Sequence, residues 1–112
     1  MRRVRAEITE TCELAAGILS LTVLAPEAAG AAKPGQFVHI ACGTGTDPLL
    51  RRPISICDVD RERGLLRLIF QVRGRGTAEL ARLKPGGTAD VIAPLGRGFT
   101  LGDEHRIAVI GG

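Results

Sequence analysis

The sequence predicts an all-β domain, a six-stranded antiparallel Greek-key barrel with one short helix near 77–83. Three observations carry that expectation. Short runs of alternating or continuous apolar residues recur at close spacing, and 15 glycines and 6 prolines supply the turns between them. Only one stretch has helical spacing. Strands this short leave exposed edges unless the sheet closes on itself, and a barrel does that. At 112 residues the chain is the size of one domain, and 45% hydrophobic content is enough to fill one core without a metal or a disulfide.

The elements follow in order. Arg3 to Thr9 places Val4, Ala6 and Ile8 on one side and Arg3, Arg5 and Glu7 on the other, as a half-buried strand does. Gly17 opens Ile18–Leu24, where Leu19, Leu21 and Val23 share a face and Pro26 closes the run. Ala28 to Ala32 has no pattern. The turn Lys33-Pro34-Gly35 leads into a third strand, Gln36 to Cys42. A loop from Gly43 to Pro48 precedes Leu49–Cys57, a strand-like segment that Pro53 confines to an edge or a bulge. The polar connection Asp60–Gly64 then leads into Leu65–Val72, the most apolar segment. Leu80 and Leu83 give Thr77–Leu83 its helical spacing, with Thr77 as N-cap, Glu79 in the first turn and Lys84-Pro85-Gly86-Gly87 as the stop. Thr88–Ala93 is a short strand, Pro94–Phe99 a loop, and Arg106–Ile110 a last strand.

Composition removes several functions. Fifteen Lys and Arg against twelve Asp and Glu leave only +3, spread without a like-charge block, so no nucleic acid is expected as a partner. With three Phe and no Trp or Tyr there is no aromatic platform for bases, which counts against an oligonucleotide-binding barrel, the non-enzymatic alternative. No run approaches the roughly 20 apolar residues of a membrane helix, and Met1-Arg2-Arg3-Val4 does not open a signal peptide, so the expected location is the cytoplasm, with no membrane partner. Cys12, Cys42 and Cys57 have neither disulfide nor zinc spacing and read as small buried hydrophobes. His39 and His105 read as packed or solvated histidines, and no catalytic or metal-binding residue is assigned.

Two segments can carry chemistry. Arg52-Pro53-Ile54-Ser55 is, on the residues alone, an edge strand with solvated arginines. The alternative is a bulge at Pro53 that brings Arg52 and Ser55 to one groove, where Arg52 grips a diphosphate and Ser55 a polar ring edge. Arg73-Gly74-Arg75-Gly76-Thr77 is either a glycine-rich turn or a place where backbone approaches an anion.

Taken with Pro34-Gly35-Gln36-Phe37-Val38-His39-Ile40, Leu49-Leu50-Arg51-Arg52-Pro53-Ile54-Ser55-Ile56, Gly74-Arg75-Gly76-Thr77, Gly86, Pro94–Phe99 and Ala108–Gly112, these segments carry a resemblance. In order and spacing the chain resembles the electron-transfer subunit of NAD-dependent, class 1B dihydroorotate dehydrogenase, among the ferredoxin-reductase-like flavoproteins. Ile54, where the wider class has an aromatic residue, favours this branch.

The resemblance implies an FAD-binding barrel over 1–105, with 106–112 opening a nicotinamide-binding domain cut at Gly111-Gly112. It implies that Arg52, Pro53, Ile54 and Ser55 meet the flavin diphosphate and ring. Ile69, Phe70 and Gln71 would line the cofactor, with Phe70 the one aromatic beside it, and Gly76 and Thr77 would contact phosphate. The family passes electrons from dihydroorotate through a 2Fe-2S cluster and FAD to NAD in pyrimidine synthesis, with an FMN-containing catalytic subunit as partner in a heterotetramer. The cluster ligands are expected outside this chain, so the three cysteines have no such role. A related ferredoxin:NAD(P) oxidoreductase subunit is the nearest alternative.

Overall fold

The computed structural model describes residues 2–42, 51–100, 102–103, 106–108 and 110. Its elements are β1 (Arg2–Ala15), β2 (Ile18–Leu24), α1 (Pro26–Ala31), β3 (Phe37–Ala41), β4 (Arg51–Asp60), β5 (Leu65–Gln71), α2 (Arg75–Leu80) and β6 (Thr88–Leu95). The strands close into an antiparallel barrel in the order β1-β2-β5-β4-β3-β6. The connections β2–α1–β3 and β5–α2–β6 cross the barrel ends, which produces the expected Greek key.

Alternation decides what lines the interior. Ala6 and Ile8 of β1, Leu21 and Val23 of β2, Val38 and Ile40 of β3, Leu66, Leu68 and Phe70 of β5, and Ala89, Val91 and Ala93 of β6 are all buried. β4 is the exception. It has no buried residue and contributes only the half-buried Ile54, Ile56 and Val59.

Several local expectations are corrected. β1 runs to Ala15, past a register shift between Ile8 and Glu10 that inverts the alternation, so Cys12 is exposed. Cys57 is exposed as well, in a second irregularity between Ile56 and Asp58, and only Cys42 is buried. The patternless stretch after Pro26 is helix α1. Proline suits the first helical position, and Ala28 and Ala29 bury their small side chains without needing a long apolar stripe.

α2 begins two residues before Thr77, which is the third helical residue, and Gly74 is the N-cap; the helix ends at Leu80. Glu79 therefore falls in the later part of the helix, facing Arg82 at 3.6 Å. β6 continues through Pro94 to Leu95. Arg106, Ile107, Ala108 and Ile110 are exposed and lie in no strand. Leu49, Leu50, the 43–48 loop, His105, Val109, Gly111 and Gly112 lie outside the described residues.

Candidate functional site

The barrel wall is not uniform between β4 and β5. Asp60, Val59, Asp58 and Ile56 pair with Leu65, Leu66, Arg67 and Leu68, and Cys57 is the extra residue that breaks the register. Such a bulge bends and twists its strand. Beyond it, Arg51–Ser55 pairs with Ala41–Phe37 of β3, and Ile69–Gln71 with Ser20–Ile18 of β2. Among the described residues neither stretch has a strand on its other side. The two strands thus form a lip, with an open strand edge on each side of it.

Pro53 sits on this one-sided stretch, opposite His39, where its missing N–H breaks no second ladder. The edge reading of Pro53 therefore holds, and the bulge lies at Cys57 instead. This has a geometric consequence. The register from Arg51 to Ser55 is regular, so Arg52 and Ile54 project to one face of β4, and Pro53 and Ser55 to the other. Arg52 and Ser55 are therefore not brought into one groove beside the proline.

α2 closes one end of the lip. A Cβ placed on Gly76 would lie 2.9 Å from Nε of Arg52 and 3.2 Å from its Cζ, so the guanidinium rests directly over the Gly76 backbone. Only glycine permits that approach without moving the arginine. The turn into the helix is closed by Thr77, whose hydroxyl accepts from the backbone N–H groups of Arg73 (2.8 Å) and Gly74 (3.1 Å) and donates to the Gly74 carbonyl. Gln71 accepts from Nε of Arg73 at 3.0 Å. Cys42, at the end of β3, lies in the field of the same groups. Burial pushes its thiol upward, while Arg52 acts to lower it and Glu79 to raise it.

The nine residues singled out from the sequence thus gather on the two sides of one lip and at its helical end. Their orientations differ. Ser55 and Gln71 are exposed, Ile54 and Ile69 half-buried, and Phe70 is only 7% exposed with its side chain in the core. What Phe70 presents at the lip is main chain. The aromatic beside Ser55 is Phe37, its partner in the β3–β4 ladder, which meets His39 edge-on at 6.2 Å between centroids. Phe37 stands in one of the segments that carry the resemblance, but its place beside Ser55 is set by strand register.

Sequence reading also missed the support of this wall. The side chain of Gln36 accepts from the Lys33 N–H (2.8 Å) and donates to the Gly96 carbonyl (2.9 Å). Its own carbonyl accepts from the Ile56 N–H at 3.1 Å. Asp90 of β6 binds Arg51 at 3.0 Å and Arg3 at 2.7 Å. The Arg3 guanidinium first, then Arg51, hold its carboxyl down to about 2 against partial desolvation.

A closed six-stranded antiparallel barrel with these features is the FAD-binding domain type of the ferredoxin-reductase-like oxidoreductases. A solved NADH-dependent reduced ferredoxin-NADP oxidoreductase, described for flavin-based electron bifurcation, superimposes with a TM-score of 0.78 at 32% identity, covering 87% of this chain and 34% of that one. Phthalate dioxygenase reductase shares the fold alone, with a TM-score of 0.66 at 21% identity over 90% of this chain and 32% of its own.

By sequence the chain belongs with the electron transfer subunits of dihydroorotate dehydrogenase B (NAD(+)) over the stretch they share. It is 57% identical over 77 residues to that subunit from Desulforamulus reducens, which is 69% of this chain and 29% of the relative. To the same subunit from Geobacillus kaustophilus it is 46% identical over 84 residues, 71% of this chain and 33% of the relative. The chain therefore spans about a third of the length of the curated relatives it matches. No protein-family model matches.

Proposed function

We propose that this chain is the FAD-binding barrel of an electron transfer subunit of dihydroorotate dehydrogenase B. The observation that carries the proposal is the lip. Edges of β4 and β5 that carry no second strand among the described residues meet an arginine held over a helix-terminal glycine, a set suited to a long, flat ligand with a diphosphate in its middle. Arg52 takes the phosphate oxygens bidentately, and the bare backbone at Gly76-Thr77 lets them approach. Ile54 packs on the flavin, Pro53 keeps the edge free of a competing strand, and Ser55 donates to the ring edge. Ile69, Phe70 and Gln71 bond the ring along β5, Phe70 through its main chain.

FAD, once bound, exchanges electrons singly or in pairs, so it can join a one-electron centre to a two-electron nicotinamide. This chain's part is to hold and orient the ring and to leave its edge open to the donor and acceptor. In the whole protein, electrons would pass from dihydroorotate through an FMN-containing catalytic subunit and a 2Fe-2S cluster to this FAD and on to NAD in pyrimidine synthesis, within a heterotetramer. Residues 1–105 are the flavin barrel in this reading, and 106–112 lead into the nicotinamide domain. Among the described residues no helix is long and apolar enough to cross a membrane, and the proposed location is the cytoplasm.

A second reading has its own support. The 32% identity to the ferredoxin-NADP oxidoreductase fits a flavin barrel serving a different electron partner. The test common to both is direct: incubate the purified chain with FAD, pass it through gel filtration, and record the visible spectrum of the protein peak. Retained flavin absorbance supports a flavin barrel. A folded barrel that carries none at any FAD concentration rejects it.

A further inference from the structure

The stretch of β4 that carries Arg52 is the least supported part of the wall. It has a ladder on one side only, and none of its residues is buried. Yet a ligand-gripping arginine has to be held within a fraction of an ångström to make both of its hydrogen bonds. Nη1 of Arg52 donates to the Arg51 carbonyl at 3.0 Å, and a further support of the strand is on the outer face. Arg51, one residue before Arg52, turns away from the lip and crosses over β3, where its neighbour is the small Ala41. Its Nη2 reaches Oδ1 of Asp90 on β6 at 3.0 Å. Arg3 of β1 holds the same carboxylate from the other side, with Nη2 to Oδ2 at 2.7 Å and Nε to Oδ1 at 3.1 Å. Arg5, opposite Asp90 in the β1–β6 ladder, adds a third positive charge.

We infer that Arg51 and Asp90 form a staple across β3 that positions Arg52 for the ligand's diphosphate. The inference rests on the proposed flavin site. Two features favour a positioning role over simple stabilisation. The Arg51 side chain is only 18% exposed, and its Nη1 is buried without a hydrogen-bond partner among the described residues, an arrangement less stable than an apolar side chain of the same length would give. The staple also ties down the half of β4 that β5 leaves unsupported. Asp58 to Asp60, where β5 already pairs, have no such tie to β6 among the described residues. Arg51 and Asp90 do not touch the ligand. They act through Arg52, which their strand carries.

A double-mutant cycle separates acting through Arg52 from acting on the barrel as a whole. FAD affinity is measured by fluorescence titration of the chain and of Arg51→Met, Arg52→Ala and the double variant, with thermal melts of each apoprotein as a check on folding. Arg51→Met keeps the volume and leaves Asp90 paired with Arg3, so the barrel should fold. The expected result is a loss of about tenfold in affinity for Arg51→Met alone, the size of one loosened charge-assisted hydrogen bond. In the Arg52→Ala background the same change should cost nothing further. Arg51→Lys should recover most of the loss, and Asp90→Asn should reproduce it from the other side.

Unchanged affinity in Arg51→Met overturns the inference. So does a tenfold loss that persists when Arg52 is already alanine, since the effect would then reach the ligand by another route. A parent chain that folds and binds no FAD overturns the flavin reading itself, and the staple's role falls with it.

Discussion

The two halves of the β4–β5 boundary are built from adjacent stretches of the same strands and do opposite things. Below the Cys57 bulge the strands are hydrogen-bonded to each other, and Leu66 and Leu68 are sealed inside with partners on both sides. Above it they part, and of the apolar side chains that remain Phe70 is buried while Ile54 and Ile69 are only half-buried. The closed half carries stability because apolar burial scales with the area removed from water. The open half contributes less to the fold and holds the polar groups a ligand can use. A barrel that was sealed all the way up would be more stable and would have nothing to offer a cofactor.

That contrast can be broken from either side, and the closed half should give the largest effect. Leu68 faces Leu21 on β2 and Ile56 on β4 and is fully buried, so Leu68→Ala should cost about 2–5 kcal/mol in a urea melt. A cost under 1 kcal/mol would mean that the core does not depend on this seam. On the lip, Arg52→Ala should leave the apoprotein within about 0.5 kcal/mol of the parent chain. Its FAD affinity should nevertheless fall by roughly ten- to a hundredfold, the worth of hydrogen bonds to a charged group. Equal losses in folding and in binding would erase the distinction between the two halves.

Gly76→Ala sharpens the comparison because its two effects have opposite signs. Alanine favours the helix over glycine by up to about 1 kcal/mol, so the melt should hold or rise. The new methyl would meet the end of the Arg52 side chain, which can swing away, and FAD binding should weaken several-fold as it does. The smallest effect is the pH dependence of the Asp90 cluster. Its carboxyl titrates near 2 in the folded chain, below its unfolded value near 4. The ionised form therefore adds stability above pH 4, and that contribution is lost as the pH falls toward 2. Melts of the parent chain and Asp90→Asn should differ at pH 7, converge between pH 4 and 2, and differ less in high salt, since Arg3 lies at the surface. A gap that stays constant down to pH 2 would remove the ion pairs as its cause.

Much of the barrel was legible in the chain. β1, β2 and β5 announce themselves through alternation or continuous apolar runs, which depend only on period-2 geometry. The Arg52–Ser55 and Gly74–Thr77 segments stood out because their residue types, an Arg beside Pro and glycines before a threonine, have restricted uses. α1 was not legible. Six residues of Pro, Glu, Ala and Gly make too short a helix to show a period, and it exists because it caps a barrel end. The break at Cys57 was also hidden, since no glycine or proline marks it and it shows only where β4 changes from pairing with β5 to pairing with β3 alone.

The sequence by itself determined the strand segments, their inward faces and the two chemically distinctive stretches, because these follow from neighbours a few residues apart. Only the tertiary structure decided that Arg52 rests on Gly76, that Phe37 rather than Phe70 stands beside Ser55, and that Arg51 reaches Asp90. Each of those depends on the register of strands far apart in the chain, and register is settled by how the whole barrel closes.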